Sequence, residues 1–171
     1  MTECFPTKAA RIAIVDDFIA SGKTVKTVVF WGTVSYLAQV QYPFLIAFRK
    51  NNPTQTCRPY MTTFIYQCVP VRATQAGVDC YGRKVMKFVA QLPFWFIGAS
   101  GEKYWIQISE RDDQSVRPGY NDFRWSFHLR TPNYKSWDSC PALGFDPALT
   151  LFEVRDSCEK SAKDMAFELW P

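Results

Sequence analysis

The sequence predicts an all-β protein, an antiparallel β-sandwich of jelly-roll-like topology with about nine strands. Apolar and polar residues alternate with the period of a β-strand through most of the chain, and no apolar pattern of helical period is long enough for a helix. The chain also contains 14 Phe, 8 Tyr and 6 Trp, residue types that strands favour. Short turn sequences rich in Gly, Pro and Asn separate the strand-like segments, which is typical of sandwiches and barrels.

Each predicted strand either alternates apolar and polar residues or forms a short apolar run. Turn sequences such as ASGK (20–23) and ATQAG (73–77) lie between them. In chain order, the predicted strands are RIAIVDDF (11–18), TVKTVVFWG (24–32), PFLIAFRK (43–50), YMTTFIYQCV (60–69), KVMKFVAQL (84–92), KYWIQIS (103–109), RWSFHLR (124–130), ALTLFEV (148–154) and DMAFELW (164–170).

The alternation is clearest in the second half of the chain. In 84–92, Lys87 and every second residue on either side of it point away from the apolar face of the predicted strand. In 103–109, Trp105 and Gln107 likewise point away from the face formed by the apolar residues that alternate with them. Around RWSFHLR, the predicted core face is Phe123, Trp125, Phe127 and Leu129, and the predicted solvent face is Arg124, Ser126, His128 and Arg130.

The length of 171 residues suits one domain with its own core. We expect a single domain over 1–171, in which residues 1–11 form an N-terminal extension. The net charge is +4, but the basic residues are scattered and do not form the stripe of a nucleic-acid-binding protein. No apolar run has the length of a transmembrane helix. We therefore expect no nucleic-acid partner and no membrane span.

The six cysteines are typical of a disulfide framework formed outside the cell. They form no C-x-x-C pair, so a zinc site is not expected. No long apolar signal-peptide core precedes the first strand. This leaves two interpretations, a mature or trimmed secreted chain, which we favour, and reduced cysteines inside a cell. Six cysteines permit 15 connectivities. Because each would close a short loop between neighbouring strand-like segments, we expect the disulfides Cys68–Cys80 and Cys140–Cys158. Cys4 and Cys57 then remain as a third pair that would tie down the N-terminus.

The stretch IVDDF (14–18) places two carboxylates side by side in the first strand. Adjacent side chains of a strand point to opposite faces, so Asp16 and Asp17 are not expected to form a catalytic pair. The simplest interpretation is that one of them ends the strand by accepting hydrogen bonds from nearby backbone N–H groups. We also expect the first and last strands to meet in one sheet region. Asp17, Asp164 and Glu168 would then approach one another. We expect no cofactor and favour solvated strand ends for these acids, and the alternative is a structural Ca²⁺ ion held by all three.

Nothing in the sequence indicates catalysis. His128 is the single histidine, on the polar face of its strand, and no G-x-S-x-G nucleophile sequence occurs. We therefore do not expect an enzyme, and we assign no catalytic residue. Exposed aromatic side chains on a β-sandwich can instead stack on sugar rings. The strand patterns around Trp31 and Trp105 predict that both side chains lie in the core. The candidate ligand-binding residues are Trp137, Tyr134 and Trp95.

Several motifs occur in the order of a known family. They are VDDF (15–18) with SGKTVKTVVFWG (21–32), AQLPFWFIGASGEKYWIQIS (90–109), FRWSF (123–127) and DMAFEL (164–169). In this order they resemble a bacterial extracellular β-sandwich domain family of planctomycete and PEP-CTERM-type secreted proteins. The resemblance implies a secreted β-sandwich over nearly the whole chain and no catalytic residue. The six cysteines depart from the pattern of that family.

These observations favour a non-enzymatic extracellular or cell-surface β-sandwich module. One alternative is a carbohydrate-binding module, which requires an exposed platform of tryptophan or tyrosine. Another is a structural subunit of a surface assembly joined by strand addition at a sheet edge. The expected partners are accordingly a glycan, another surface protein or further copies of the chain. The exposure of the tryptophans distinguishes the first alternative, and the position of residues 1–11 distinguishes the second.

Overall fold

The computed structural model describes residues 13–34, 44–55, 58–79, 81–110, 123–125, 127–128, 143–145, 151–153 and 164–171. The regular structure in these ranges is β-strand throughout, in antiparallel sheets, and the predicted all-β sandwich is confirmed. The same ranges contain no helix with the length and hydropathy of a membrane span. The strands are β1 (Ala13–Ile19), β2 (Thr24–Val34), β3 (Phe44–Asn51), β4 (Pro59–Val69), β5 (Val71–Val78), β6 (Lys84–Ile97), β7 (Lys103–Glu110), β8 (Phe123–Trp125), β9 (Phe127–His128), β10 (Leu143–Phe145), β11 (Leu151–Glu153), β12 (Asp164–Met165) and β13 (Phe167–Trp170).

Two sheets form the sandwich. A six-stranded sheet has the order β11-β10-β1-β7-β3-β4, and a five-stranded sheet has the order β13-β2-β6-β5, with β8 also paired with β2. Strands β12 and β9 form a separate pair. Among the described connections, the chain passes from one sheet to the other after β1, at Pro70 between β4 and β5, and after β6. The expected number of strands is only approximate because some predicted strands divide. The segment 164–170, for example, forms both β12 and β13.

The core lies between the two sheets and is rich in aromatic rings. Phe96 of β6 stacks on Phe48 of β3 with 4.0 Å between the ring centroids, and this contact joins the two sheets. Phe30 and Phe88 stack at 5.1 Å within the five-stranded sheet. Phe44 of β3 contacts both of these rings from the opposite sheet. Ring pairs of this kind add stabilisation beyond that of their buried area.

The alternation predicted for 84–92 and 103–109 is confirmed, because the apolar residues of β6 and β7 lie in the core cluster and their neighbours point away from it. The turn predicted at ATQAG (73–77) is wrong. These residues belong to β5, where Thr74 pairs with Lys87 of β6. Most side chains of β5 are exposed, so no hydrophobic pattern indicated the strand. Its backbone hydrogen bonds with β6 hold it in the sheet.

The first and last segments of the chain meet through a buried carboxylate. Asp16 is 1% exposed and lies on the inner face of β1, since it pairs with Ile106 of the core. Its Oδ2 accepts a hydrogen bond of 2.7 Å from the backbone N–H of Met165, and its Oδ1 accepts one of 3.0 Å from the N–H of Asp17. The predicted meeting of the two segments is confirmed, but a shared sheet is wrong. Strand β1 belongs to the six-stranded sheet and β13 to the five-stranded sheet.

Gly98 lies where the turn after β6 packs against the turn after β1. A Cβ atom at this position would lie 2.6 Å from the Cβ of Ala20 and 2.9 Å from Cε2 of Tyr104. We expect Gly98→Ala to lower the free energy of unfolding by roughly 1–3 kcal/mol, as overpacking does, in urea denaturation. Gly77→Ala is the matched control, because nothing lies within 4 Å of its Cβ position. Equal losses in the two variants would contradict the steric explanation.

Candidate functional site

The outer face of the five-stranded sheet carries tryptophan side chains. Phe30 of β2 is in the core and Leu169 of β13 packs against it, so the next residue of each strand points outward. These residues are Trp31, which is half-buried, and Trp170, which is 49% exposed. Trp31 stands opposite Lys87 of β6 in the register of the sheet.

A third tryptophan reaches this face through an irregularity in β6. The register of β2 with β6 shifts at Lys26, which stands opposite the four residues 92–95. The extra residues of β6 interrupt the regular hydrogen-bond ladder between the two strands, as a β-bulge does. Pro93 suits this position because it has no N–H to donate. Phe94 and Trp95 of the bulge are 76% and 61% exposed.

Two lysines lie among the three indole rings. The Nζ of Lys26 is 4.7 Å from the ring centroid of Trp95. The Nζ of Lys87 is 5.4 Å from the centroid of Trp31 and 5.9 Å from that of Trp170. Cation–π contacts at exposed sites contribute only about 0.5–1 kcal/mol each, so these ammonium groups can leave the rings at little cost. We call the surface formed by these five residues the tryptophan face.

Polar side chains border the tryptophan face. Glu168 Oε2 accepts a hydrogen bond of 2.9 Å from the indole N–H of Trp170. Gln91 Oε1 accepts one of 3.1 Å from the hydroxyl of Thr27. Arg72 of β5 is exposed and stands opposite Val89, an outward-pointing residue, so it lies on the same side of the sheet. The face therefore combines flat apolar rings with hydrogen-bonding groups and cations.

The tryptophan predictions have mixed outcomes. Trp95 is exposed as a ligand-binding residue requires, whereas Trp137 and Tyr134 lie outside the described residues. The assignment of Trp31 to the core is wrong, because its strand turns it outward. Trp105 is fully buried, but on the outer side of the six-stranded sheet, where its indole N–H donates to Asn51 Oδ1 at 2.9 Å.

Trp170 was missed as a candidate. The alternation of DMAFELW signals its position, since Phe167 and Leu169 pack against the core and Trp170 faces the other way. Its proximity to Trp31 has no such signal. That proximity depends on the pairing of β13 with β2, which joins segments more than a hundred residues apart.

The proposed calcium ligands occupy separate surroundings. Asp17 Oδ2 lies 3.1 Å from Nζ of Lys103, and both side chains are largely buried, so a lysine already supplies the cation that Asp17 requires. Glu168 contacts Trp170 on the other sheet, and the side chain of Asp164 is not among those described. No cluster of three or more His, Cys, Asp or Glu side chains occurs in the described ranges. The structural Ca²⁺ ion stays a prediction.

The predicted disulfides also stay predictions. Cys4, Cys57, Cys80, Cys140 and Cys158 lie outside the described residues, and Cys68 is described only by its backbone in β4. The same is true of the predicted core face Phe123, Trp125, Phe127 and Leu129, whose side chains are not described. The backbone of β8 pairs with β2, with Trp125 opposite Gly32.

Comparison of the chain with known protein families, with characterised proteins and with solved structures finds no match. A role for the tryptophan face can therefore be argued only from the positions and chemistry of its own side chains.

Proposed function

We propose that this protein is a non-enzymatic extracellular β-sandwich module that binds carbohydrate through the tryptophan face. The proposal depends on one observation, the placement of Trp31, Trp95 and Trp170 on one side of a sheet, with the last two about half exposed or more. An indole ring stacks on the apolar C–H face of a sugar, while neighbouring polar groups bind the hydroxyls. Clustered exposed aromatics are uncommon on monomeric proteins unless they serve an interaction.

The extracellular location is part of the proposal. It is supported by the even number of cysteines and by the resemblance to secreted bacterial β-sandwich domains. Sugar polymers of cell walls and matrices lie in the same compartment, which agrees with a glycan ligand.

Assembly by strand addition is less well supported. Strand β4 is the last strand of the six-stranded sheet and contains no charged residue, and its Tyr60 and Phe64 are exposed. However, its register with β3 shifts at three places. Such bulges twist an edge strand and prevent the continuous ladder that strand addition requires. The edge is therefore better suited to blocking a neighbouring chain than to receiving one.

The test of carbohydrate binding uses Trp95→Ala and Trp170→Ala. We expect each variant to bind its glycan roughly tenfold or more weakly, because both remove a central aromatic contact. Affinity electrophoresis in gels that contain single polysaccharides identifies the ligand, and calorimetry then measures the affinity. Both residues are exposed, so the melting temperature should change little.

Tyr60→Ala is the matched control, since it removes an aromatic ring that is 63% exposed on the other sheet. It should bind like the wild type. Binding that survives both tryptophan substitutions, or that depends equally on Tyr60, would show that the ligand lies elsewhere. A chain that binds none of the polysaccharides would refute the proposal.

A further inference from the structure

We infer that the carbohydrate is acidic, a polysaccharide that carries uronic acid carboxylates or sulfate groups. This inference rests on the proposed function and concerns the same surface. It depends on the placement of lysine ammonium groups directly at the indole rings. Each of Trp31, Trp95 and Trp170 has such a group within 6 Å of its ring centroid.

The positions of the lysines determine which sugars can stack favourably on the indole rings. In the free protein the Nζ of Lys26 lies over Trp95 and that of Lys87 over Trp31 and Trp170. A neutral sugar that stacks on the same ring face must displace the ammonium group and gives it no new partner except water. An acidic sugar also displaces it, but its carboxylate or sulfate then pairs with the lysine. Each acidic sugar unit would therefore contact an indole ring and a lysine ammonium group at the same time.

The position of Lys26 suits contact with a sugar on Trp95. Its Nζ lies 4.7 Å from the Trp95 centroid before any sugar binds. A lysine displaced by a stacked sugar would therefore stay beside the ring, within reach of an acidic substituent. Lysine has a long flexible stem and three rotatable donors, so small changes in sugar orientation are tolerated.

The other charged groups of this face favour an anion. Arg72 adds a further exposed cation from β5. The acidic side chain of the face, Glu168, accepts a hydrogen bond from Trp170. The described strands of the same sheet carry Lys26, Lys87 and Arg72 on this side, so cations outnumber it. The chain as a whole carries a net charge of +4, which favours the approach of a polyanion at low ionic strength.

The experiment compares polymers that differ only in charge. Polygalacturonate is paired with its highly methyl-esterified form, and dextran sulfate with dextran. We expect at least one acidic polymer to bind roughly tenfold more tightly than its neutral partner in calorimetry, and the difference to shrink as the salt concentration rises.

The variants separate the roles of rings and cations. The double variant Lys26→Gln/Lys87→Gln should bind the acidic polymer roughly tenfold more weakly, while Lys26→Arg/Lys87→Arg retains the charge and should restore binding. Lys50→Gln removes an exposed cation from the six-stranded sheet and should bind like the wild type. Trp95→Ala and Trp170→Ala should both lose binding of the acidic polymer.

Each contrary result has a separate meaning. Tryptophan-dependent binding of a neutral polymer, unaffected by the lysine substitutions, would leave the proposed function intact and overturn the inference. Acidic-polymer binding that requires the lysines but not the tryptophans would be simple ion exchange and would overturn both. A single-stranded oligothymidylate that binds as tightly, through the same rings and lysines, would replace the glycan by a nucleic acid.

Discussion

Phe96→Ala should lower the free energy of unfolding by about 3–5 kcal/mol, the usual cost of truncating a buried phenylalanine. The ring is fully buried and stacks on Phe48 of the opposite sheet at 4.0 Å with an interplanar angle of 6°. It also forms edge-to-face pairs with Phe18 and Tyr104, which belong to the six-stranded sheet as well. The substitution therefore leaves a cavity at the contact between the sheets and removes several ring pairs at once.

Guanidinium denaturation monitored by circular dichroism measures this loss. Ile97→Ala is the matched control, because the neighbouring side chain is 58% exposed and its removal should cost far less. The slope of the free energy of unfolding against denaturant concentration, the m-value, should stay unchanged, so that the shift in midpoint reports a change in stability. Similar losses for Phe96→Ala and Ile97→Ala would contradict the description of Phe96 as a buried ring that joins the two sheets.

Asp16→Ala should lower the free energy of unfolding by about 2–3 kcal/mol. The carboxylate accepts hydrogen bonds from the backbone N–H groups of Met165 and Asp17, and it is buried at 1% exposure. A buried donor that loses its partner costs about 1–3 kcal/mol, and a bond to a charged acceptor is stronger than a neutral one. The structure around Met165, just before β13, should be destabilised most, because its N–H loses its acceptor.

Hydrogen exchange supplies the decisive measurement, because the amide of Met165 should exchange faster in Asp16→Ala than in the wild type. Asp16→Asn retains one acceptor oxygen and should fall between the two. Lys50→Ala, which removes only an exposed ion pair of 3.9 Å, should change stability by less than about 0.5 kcal/mol. Faster exchange that is spread evenly over the whole domain would contradict a local role for Asp16.

Local strand geometry explains one property of Asp16, and the tertiary structure explains another. The rule that adjacent side chains of a strand point to opposite faces correctly predicts that Asp16 and Asp17 do not act together. Which of the two faces the core is not evident from IVDDF, because both are carboxylates. The pairing of Asp16 with Ile106 and the approach of Met165 decide it. Asp17 then lies on the outer side, where it pairs with Lys103.

The sequence alone determined the all-β class and the buried faces of β6 and β7, because a period of two is a local property of the chain. Alternation also indicates that Trp170 points away from the core. That Trp31, Trp95 and Trp170 share one face follows from the arrangement of the strands and from no local pattern. Their proximity requires β13 to pair with β2 and β6 to form a bulge opposite Lys26. Both depend on the register between distant segments, and that register is set by the packing of the whole core, not by any local pattern.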